Sequence, residues 1–333
     1  MNGAVSLRRL VAFAALVAVG ASAASAGVPA LSLPVQCEIG KTCAVQNYFD
    51  HDAGPGAKDY RCGLLSYDGH DGTDIRLPNL AAMKRGVAVL AAANGRVRAV
   101  RDSMDDVSFR VIGKDAVKGR EAGNAVAVDH GEGWETQYSH LRRGSVAVKP
   151  GQAVKRGQVL GMIGLSGHTE FPHLHLSVRH NGRKIDPFVG TSQASDCGAG
   201  ATPLWESATQ QVLAYAPSGL LSAGFAGAPP SFEAIQADPP DLPGRRADAL
   251  VFWIYMFGLQ RGDLEYIRIF GPDGAILAEE KRRAGANKAD AFLYVGRKRR
   301  DAGWTAGTYR GEYRLVRGAQ EIVSIVRDLH MKP

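Results

Sequence analysis

The sequence predicts an all-β protein of two domains, because three observations agree. Its 333 residues are more than a single domain usually holds. Helical periodicity is almost absent between residues 86 and 188, where short β-rich runs follow one another. Turn signals typical of hairpins in antiparallel sheets separate these runs, and they stand at Asn94-Gly95, at the HGEG segment 130–133, at Pro150-Gly151 and at Asn181-Gly182.

The second domain, residues 222–333, is predicted to be an immunoglobulin-like β-sandwich. The apolar run from Leu250 to Leu259 is too short to span a membrane and fits a buried central strand. Two more strands flank the Pro-Asp-Gly turn signal at 272–274. Along residues 309–315, charged side chains alternate with uncharged ones, as in a half-buried strand. Five to seven short strands with turns between them favour a sandwich.

The remaining boundaries follow from composition. We expect an N-terminal extension at 27–68 that packs on the first domain, a first domain at 69–197 and a linker at 198–221. Six prolines between Pro217 and Pro243 favour extended backbone there, and Leu204–Ala214 could form one short helix.

Residues 1–26 are predicted to be a secretory signal peptide. Arg8 and Arg9 precede an apolar stretch from Leu10 to Val19, and small residues ending at Ala26 offer a cleavage site. The apolar stretch is about half the length of a spanning helix, so we expect no permanent membrane anchor. The protein should therefore be periplasmic or secreted; the sequence leaves the export route, Sec or Tat, open.

Four cysteines follow the signal, which is an even number in an exported chain and favours disulfides. Three pairings are possible. We favour Cys37–Cys43, which closes a small loop, and Cys62–Cys197, which ties the beginning of the first domain to its end.

A metal site is predicted from two short motifs. His70 and Asp74 stand in HDGTD, and His173 and His175 stand in PHLHL, with His140 of QYSHL between them in the chain. Imidazole nitrogen and carboxylate oxygen suit zinc. On a strand, residues 173 and 175 share one face, whereas HDGTD must curl before both of its side chains can reach one ion.

The run from Gly69 to Pro187 resembles the lysostaphin-type (LytM-like) zinc endopeptidases of bacterial cell walls. The resemblance is carried by five pieces in order: GHDGTDIRLP (69–78), VAVLAAANGRV (87–97), AVAVDHGEGWETQYSHL (125–141), VKPGQAVKRGQVLGMIG (148–164) and SGHTEFPHLHLSVRHNGRKIDP (166–187).

The resemblance implies a lysostaphin-type antiparallel sheet that holds one zinc ion through His70, Asp74 and His175. It assigns His140 and His173 as catalytic residues that do not bind the metal, with their two roles not apportioned. The implied reaction is hydrolysis of amide bonds in peptidoglycan peptides, with cross-links as the expected target. A zinc ion activates water and polarises a carbonyl, which is the chemistry that such a hydrolysis needs.

Several alternatives stay open. The chain could be an inactive relative that binds peptidoglycan or activates another hydrolase, or an envelope adaptor that works through its C-terminal domain. The N-terminal segment could cover the metal in a latent form, with Asn47 as the candidate occupant. Residues 101–123 have no counterpart in the resemblance and could build a wall of the cleft.

Partners are predicted from charge and export. The net charge of +7 becomes +5 once the signal arginines are removed, which is not diagnostic. Basic runs at Lys281–Arg283 and Arg297–Arg300 could hold anionic wall polymer or membrane headgroups. Peptidoglycan is the expected substrate, and an envelope protein could bind through the C-terminal domain. No nucleic acid is expected, because the protein is exported.

Overall fold

The computed structural model describes Met1 and residues 27–191, 201–300 and 303–332. The predicted signal peptide and Cys197 therefore lie outside the described residues, apart from Met1. Among the described residues, no helix is both long enough and apolar enough to cross a membrane. The Cys37–Cys43 disulfide is present, as predicted, while the Cys62–Cys197 pairing stays a prediction.

An antiparallel sheet carries the first domain. Within the described residues it has eight strands in the order β1-β2-β9-β6-β5-β4-β7, with β10 paired to β9. Its strands are β1 (Ala44–Asn47), β2 (Thr73–Arg76), β4 (Gly95–Arg101), β5 (Asn124–Gly131), β6 (Trp134–Leu141), β7 (Ala153–Val154), β9 (His173–His180) and β10 (Arg183–Ile185). A separate antiparallel pair joins β3 (Ala88–Leu90) to β8 (Val159–Met162).

Helices are short and few in the described part of the chain: α1 (Leu80–Arg85), α2 (Phe109–Ile112), a 3-10 turn (Lys114–Val117), α3 (Ser207–Val212) and α4 (Phe232–Ala237). The helix predicted within 204–214 is confirmed as α3. Residues 109–117 contain helical turns that the sequence pattern did not reveal, because four residues are too few to establish a period.

Two of the four predicted hairpin turns are hairpins. β5 and β6 are joined through Glu132 and Gly133, and β9 and β10 through Asn181 and Gly182, all with positive φ as a tight hairpin requires. The hairpins predicted at Asn94-Gly95 and Pro150-Gly151 are wrong. β4 begins at Gly95 and pairs with β5 and β7 rather than with the preceding β3. β7 follows Pro150-Gly151 and pairs with β4 rather than with the preceding β6. Both turns therefore connect strands that are not neighbours in a sheet.

The C-terminal strands form two antiparallel sheets. Among the described residues, one has the order β11-β12-β15 and the other β14-β13-β16-β17. Their bounds are β11 (Gly219–Ala226), β12 (Ala249–Leu259), β13 (Leu264–Phe270), β14 (Ile276–Arg283), β15 (Lys288–Lys298), β16 (Gly307–Arg317) and β17 (Gln320–Met331). The strands predicted around 272–274 and within 309–315 are confirmed, and this two-sheet order supports the immunoglobulin-like prediction.

The predicted linker differs from the observed chain path. β11 begins at Gly219, inside the stretch assigned to the linker, and α4 interrupts the proline-rich segment expected to be extended. The prolines there flank a helix: Ser231 follows Pro230 and caps α4 by accepting a hydrogen bond from Ala234 N at 3.1 Å. Two further prolines follow the end of α4, where a proline cannot continue the helix.

Strand β12 explains why its sequence is apolar without alternation. Every residue from Ala249 to Leu259 is buried. Phe252, Ile254 and Met256 face the core between the two C-terminal sheets, whereas Trp253 and Tyr255 belong to the same core as the N-terminal sheet. The central strand is therefore buried on both faces, and the two parts of the chain share a continuous packed boundary.

Candidate functional site

The two motifs meet on adjacent strands. β2 and β9 are antiparallel neighbours in which Asp74 lies opposite His175. His70 precedes β2 on a turn that Gly69 enters with φ 75°. The turn brings His70 back over the strand, so His70, Asp74 and His175, called the metal triad from here on, converge at one point.

The donor atoms of the metal triad have the spacing that a zinc ion needs. Asp74 Oδ1 lies 3.1 Å from His70 Nε2 and 2.9 Å from His175 Nδ1, and the two nitrogens are 3.2 Å apart. A tetrahedral zinc with bonds of about 2.0–2.1 Å places its ligand atoms about 3.3 Å from one another. All three side chains are buried, so the donor set fits zinc in both chemistry and spacing.

Hydrogen bonds on the far side of each triad residue fix its orientation. His70 donates from Nδ1 to the carbonyl of Tyr48 at 2.6 Å, which leaves Nε2 free to bind a metal. His175 Nε2 lies 3.1 Å from Asp71 Oδ1 and 3.0 Å from Ser177 Oγ, which leaves Nδ1. The remaining nitrogens, His70 Nε2 and His175 Nδ1, thus face the same point, 3.2 Å from each other.

Asn47 stands behind the carboxylate of Asp74 and does not occupy the metal position. Its Nδ2 donates to Asp74 Oδ2 at 2.9 Å, the oxygen that does not face the histidines. The candidate latent-form occupant is thus a residue that orients Asp74, because β1 pairs with β2 and sets Asn47 opposite Asp74.

Asp71 and Ser177 were missed by sequence reasoning, although weak signals for both exist. Asp71 is the second residue of HDGTD, and Ser177 continues the alternation of His173 and His175 along β9. Asp71 also pairs with Lys184 Nζ at 2.9 Å. A carboxylate that accepts a hydrogen bond from a metal-binding histidine raises the basicity of that ligand.

His140 and His173, called the flanking pair from here on, lie beside the metal triad. Their ring centroids are 4.6 Å apart. His140 donates from Nδ1 to Ser166 O at 2.8 Å, and His173 donates from Nδ1 to Phe171 O at 2.9 Å. Because a carbonyl oxygen only accepts, each of these Nδ1 atoms carries a proton, and Nε2 is the ring nitrogen left for other contacts. His173 Nε2 lies 3.4 Å from Asp74 Oδ1.

His140 has a strained backbone. Its φ is 61°, a value that non-glycine residues rarely adopt. Its N–H donates to Ala122 O at 2.9 Å and its carbonyl accepts from Gly164 N at 3.0 Å, so two neighbouring segments hold the conformation. Strain that persists in this way is typical of functional sites.

Electrostatics separate the roles of these residues. Burial would raise the pKa of Asp74, but the neighbouring His70 and His173 outweigh it and hold that pKa well below its usual value. Burial lowers the pKa of His140 well below its usual value, and nearby His173 and His175 lower it further. Burial also lowers the pKa of His175, but its hydrogen bonds to Asp71 and Asp74 prevail and raise it to about 9.

Gly72 allows the chain to pass close to the metal triad. A Cβ at this position would lie 2.5 Å from Leu176 O and 2.7 Å from His175 Nε2. Any side chain there would displace either β9 or the imidazole. Gly72 is thus required by this close approach rather than by a positive φ.

A cleft of about 350 Å³ opens above the site. Residues 101–123 contribute Glu121 and Ala122 to one wall of it, in agreement with the possibility raised by the sequence. The ring of Phe109 in α2 stacks on His168 at 4.1 Å between centroids, which fixes His168 in that wall. The opposite side is polar and is lined by Gln137, Ser139, Ser177 and Arg179.

Two other histidines are structural. His130, read from the sequence as a turn residue, lies in β5 and bonds to Asn94 O at 2.7 Å and to Thr136 Oγ1 at 2.8 Å. His51 bonds to Asp186 Oδ2 at 2.7 Å. Neither contributes an atom to the metal triad or to the flanking pair.

Residues 68–187 match the model of Peptidase family M23. Two of the curated relatives that match this chain show the extent of the similarity. The peptidoglycan DD-endopeptidase ShyB of Vibrio cholerae is 32% identical over 117 residues, which is 35% of this chain and 22% of the relative. The cell division protein DipM of Caulobacter vibrioides is 32% identical over 111 residues, 33% of this chain and 14% of the relative.

Among solved structures, a zinc-containing peptidase from Vibrio cholerae aligns with 27% identity and a TM-score of 0.28, over 43% of this chain and 39% of that chain. A TM-score this low supports no conclusion about fold or function. The chain spans less than a quarter of the length of the two curated relatives. The match to Peptidase family M23 spans residues 68–187, the stretch that contains both motifs.

Proposed function

We propose that this chain is an exported, zinc-dependent endopeptidase that hydrolyses amide bonds in peptidoglycan peptides. The observation that carries the proposal is the convergence of His70 Nε2, Asp74 Oδ1 and His175 Nδ1 within 3.2 Å of one another. The flanking pair places two further imidazoles beside this point, with ring centroids 4.6 Å apart. Export rests on the signal peptide predicted at residues 1–26.

Zinc held by the metal triad would lower the pKa of a water molecule and polarise the scissile carbonyl. The protein's own residues supply the rest. His140 stays neutral because burial lowers its pKa, so its Nε2 can accept a proton from the attacking water. His173 offers a second Nε2 that, once protonated, can stabilise the developing oxyanion or donate to the leaving amine. The two roles could also be exchanged between the flanking pair.

The substrate class comes from the relatives. ShyB is named a peptidoglycan DD-endopeptidase, and two Neisseria meningitidis relatives, 43% identical over 72 residues, are named DD-carboxypeptidase/endopeptidase. The polar cleft suits a peptide, since amide groups of a substrate would find hydrogen-bond partners at Gln137, Ser139 and Ser177. We propose the peptide cross-links of the wall as the bonds cleaved.

An inactive role in peptidoglycan binding is not favoured. Binding alone would not need two further imidazoles beside a metal position, one of them, His140, kept neutral by burial and held in a strained backbone conformation. The proposed periplasmic or secreted location agrees with a wall substrate, and one zinc per chain is expected.

The test is digestion of purified peptidoglycan of defined cross-linking, with the released muropeptides identified by mass spectrometry. The wild-type chain should convert cross-linked dimers into monomers, a chelator should abolish the conversion, and added zinc should restore it. His175→Ala should lose zinc and activity together. A folded chain that holds about one zinc and cleaves no wall preparation would contradict the proposal.

A further inference from the structure

Arg76 is a buried charge beside the site. It ends β2 and lies directly opposite His173 on β9, as Asp74 lies opposite His175. The residue is 1% exposed. A guanidinium taken out of water at this depth needs a partner carboxylate and further hydrogen bonds.

The carboxylate comes from the C-terminal sheets. Asp290 of β15 accepts from Arg76 Nη1, at 2.8 Å through Oδ1 and 3.0 Å through Oδ2. Arg76 Nη2 donates to the hydroxyl of Tyr255, which in turn donates to Asp290 Oδ2 at 3.0 Å. Gln46 accepts from Nη1 at 2.5 Å and donates to Asp290 Oδ1 at 3.1 Å. These bonds fix the plane of the guanidinium.

One face of the Arg76 guanidinium stacks on Phe171, which in turn contacts His173. Its Cζ lies 3.8 Å from the ring centroid of Phe171, a close cation–π contact. The ring of Phe171 is 4.9 Å from that of His173, and the carbonyl of Phe171 accepts the Nδ1 proton of His173 at 2.9 Å. A continuous path of contacts therefore leads from Asp290 through Arg76 and Phe171 to His173.

We propose that Asp290 is a positioning residue for His173, and that the C-terminal sheets are thereby part of the catalytic unit rather than a separate wall-binding module. The catalytic consequence rests on the proposed function, whereas the effect on the imidazole does not. Without the charge of Asp290, the guanidinium loses its anchor and its stacking on Phe171 loosens. The acceptor that selects the tautomer of His173 then moves.

Other contacts limit the size of the effect. Thr169 Oγ1 lies 3.1 Å from His173 Nδ1, and Leu77 N donates to Pro172 O at 2.9 Å. Loss of Asp290 should therefore tilt His173 without releasing it. A misplacement of less than 1 Å in a catalytic group predicts a fall in kcat of about tenfold.

The test compares Asp290→Asn with Asp328→Asn in the full chain, both loaded with zinc. Asp328 pairs with Arg310 on the exposed face of the second C-terminal sheet, so its variant removes the same charge far from the path. Long-range ¹H–¹⁵N spectra report the imidazole tautomers, with His173→Ala used to assign the signal. In wild type and in Asp328→Asn, neutral His173 should carry its proton on Nδ1 alone. In Asp290→Asn it should be a mixture of the Nδ1-protonated and Nε2-protonated tautomers.

Kinetics give a second readout. Asp290→Asn should lower kcat about tenfold with KM and zinc content unchanged, and should have no further effect on kcat in a His173→Ala background. An equal fall in kcat in the wild-type and His173→Ala backgrounds, or an unchanged His173 tautomer, would overturn the proposal.

If Asp290→Asn fails to fold, Phe171→Leu is the substitute variant. It keeps the ion pair between Arg76 and Asp290, and the same changes in tautomer and kcat are expected. A wild-type chain that cleaves nothing would refute the proposed function, while the spectra would still decide the role of Asp290.

Discussion

Asp71 provides a quantitative test of how the metal triad is held. Its Oδ1 lies 3.1 Å from His175 Nε2, and its side chain is 27% exposed. The hydrogen bond to His175 is the largest influence on the pKa of Asp71 and, with the bond to Lys184, holds it well below its usual value against the opposing effect of burial, so the group is a carboxylate. Asp71→Asn keeps the size and an acceptor oxygen and removes the charge.

The expected magnitude follows from the strength of the bond. A hydrogen bond to a charged group contributes about 1.5–3 kcal/mol and a neutral one about 1 kcal/mol, so the change should cost about 1–2 kcal/mol of zinc binding. That corresponds to a zinc Kd about tenfold weaker. The lost Lys184 pair adds little, because that lysine is 53% exposed and surface ion pairs contribute less than about 1 kcal/mol.

The assay is zinc competition against a chelating dye at fixed pH and salt. Asp68→Asn is the matched control, because Asp68 is exposed and stands three residues before Asp71 in the chain. We expect a zinc Kd about tenfold higher for Asp71→Asn than for wild type, and an unchanged zinc Kd for Asp68→Asn. A Kd within twofold of wild type for both variants would refute the claim that Asp71 supports His175.

Three further predictions concern the same site. His140→Ala should keep its zinc and lose about two to four orders of magnitude in kcat, as expected for a general acid or base; normal turnover with normal metal content would refute its role. Gly72→Ala should weaken zinc binding, since its Cβ would meet His175 Nε2 at 2.7 Å, while Gly285→Ala, where no atom lies within 4 Å, should not; equal Kd values for the two would refute the close-approach argument. Because the pKa of His175 is raised to about 9, zinc must displace its proton below that pH. The zinc Kd should thus rise as pH falls from 8.5 to 7, by up to about tenfold per unit, and a flat profile would contradict this.

The local parts of the structure could be predicted from the sequence, because they depend on neighbours in the chain. Alternation along His173–Leu176 placed two histidines on one face of a strand, and β9 has that arrangement. The run at 250–259 indicated a buried strand, although its burial on both faces was not foreseen. Periodicity shows that a face is covered, but it does not show what covers it.

What could not be predicted depends on pairing between distant residues. Turn residues at Asn94-Gly95 show where the chain bends, but not which strand the next one joins. Asn47 supports Asp74 only because β1 adds to the sheet edge beside β2. Arg76 and Asp290 are 214 residues apart, and no sequence signal joins them.

The central claim is that the metal triad binds zinc and that the flanking pair does not. Atoms of His140, His173 and His175 also lie close enough to one another to hold an ion, so a second arrangement exists against which the claim can be tested. Diffraction data collected at the zinc edge from zinc-loaded crystals would decide between them. We predict one anomalous peak bonded to His70 Nε2, Asp74 Oδ1 and His175 Nδ1. A peak bonded to His140 or His173 in place of His70 and Asp74 would contradict it.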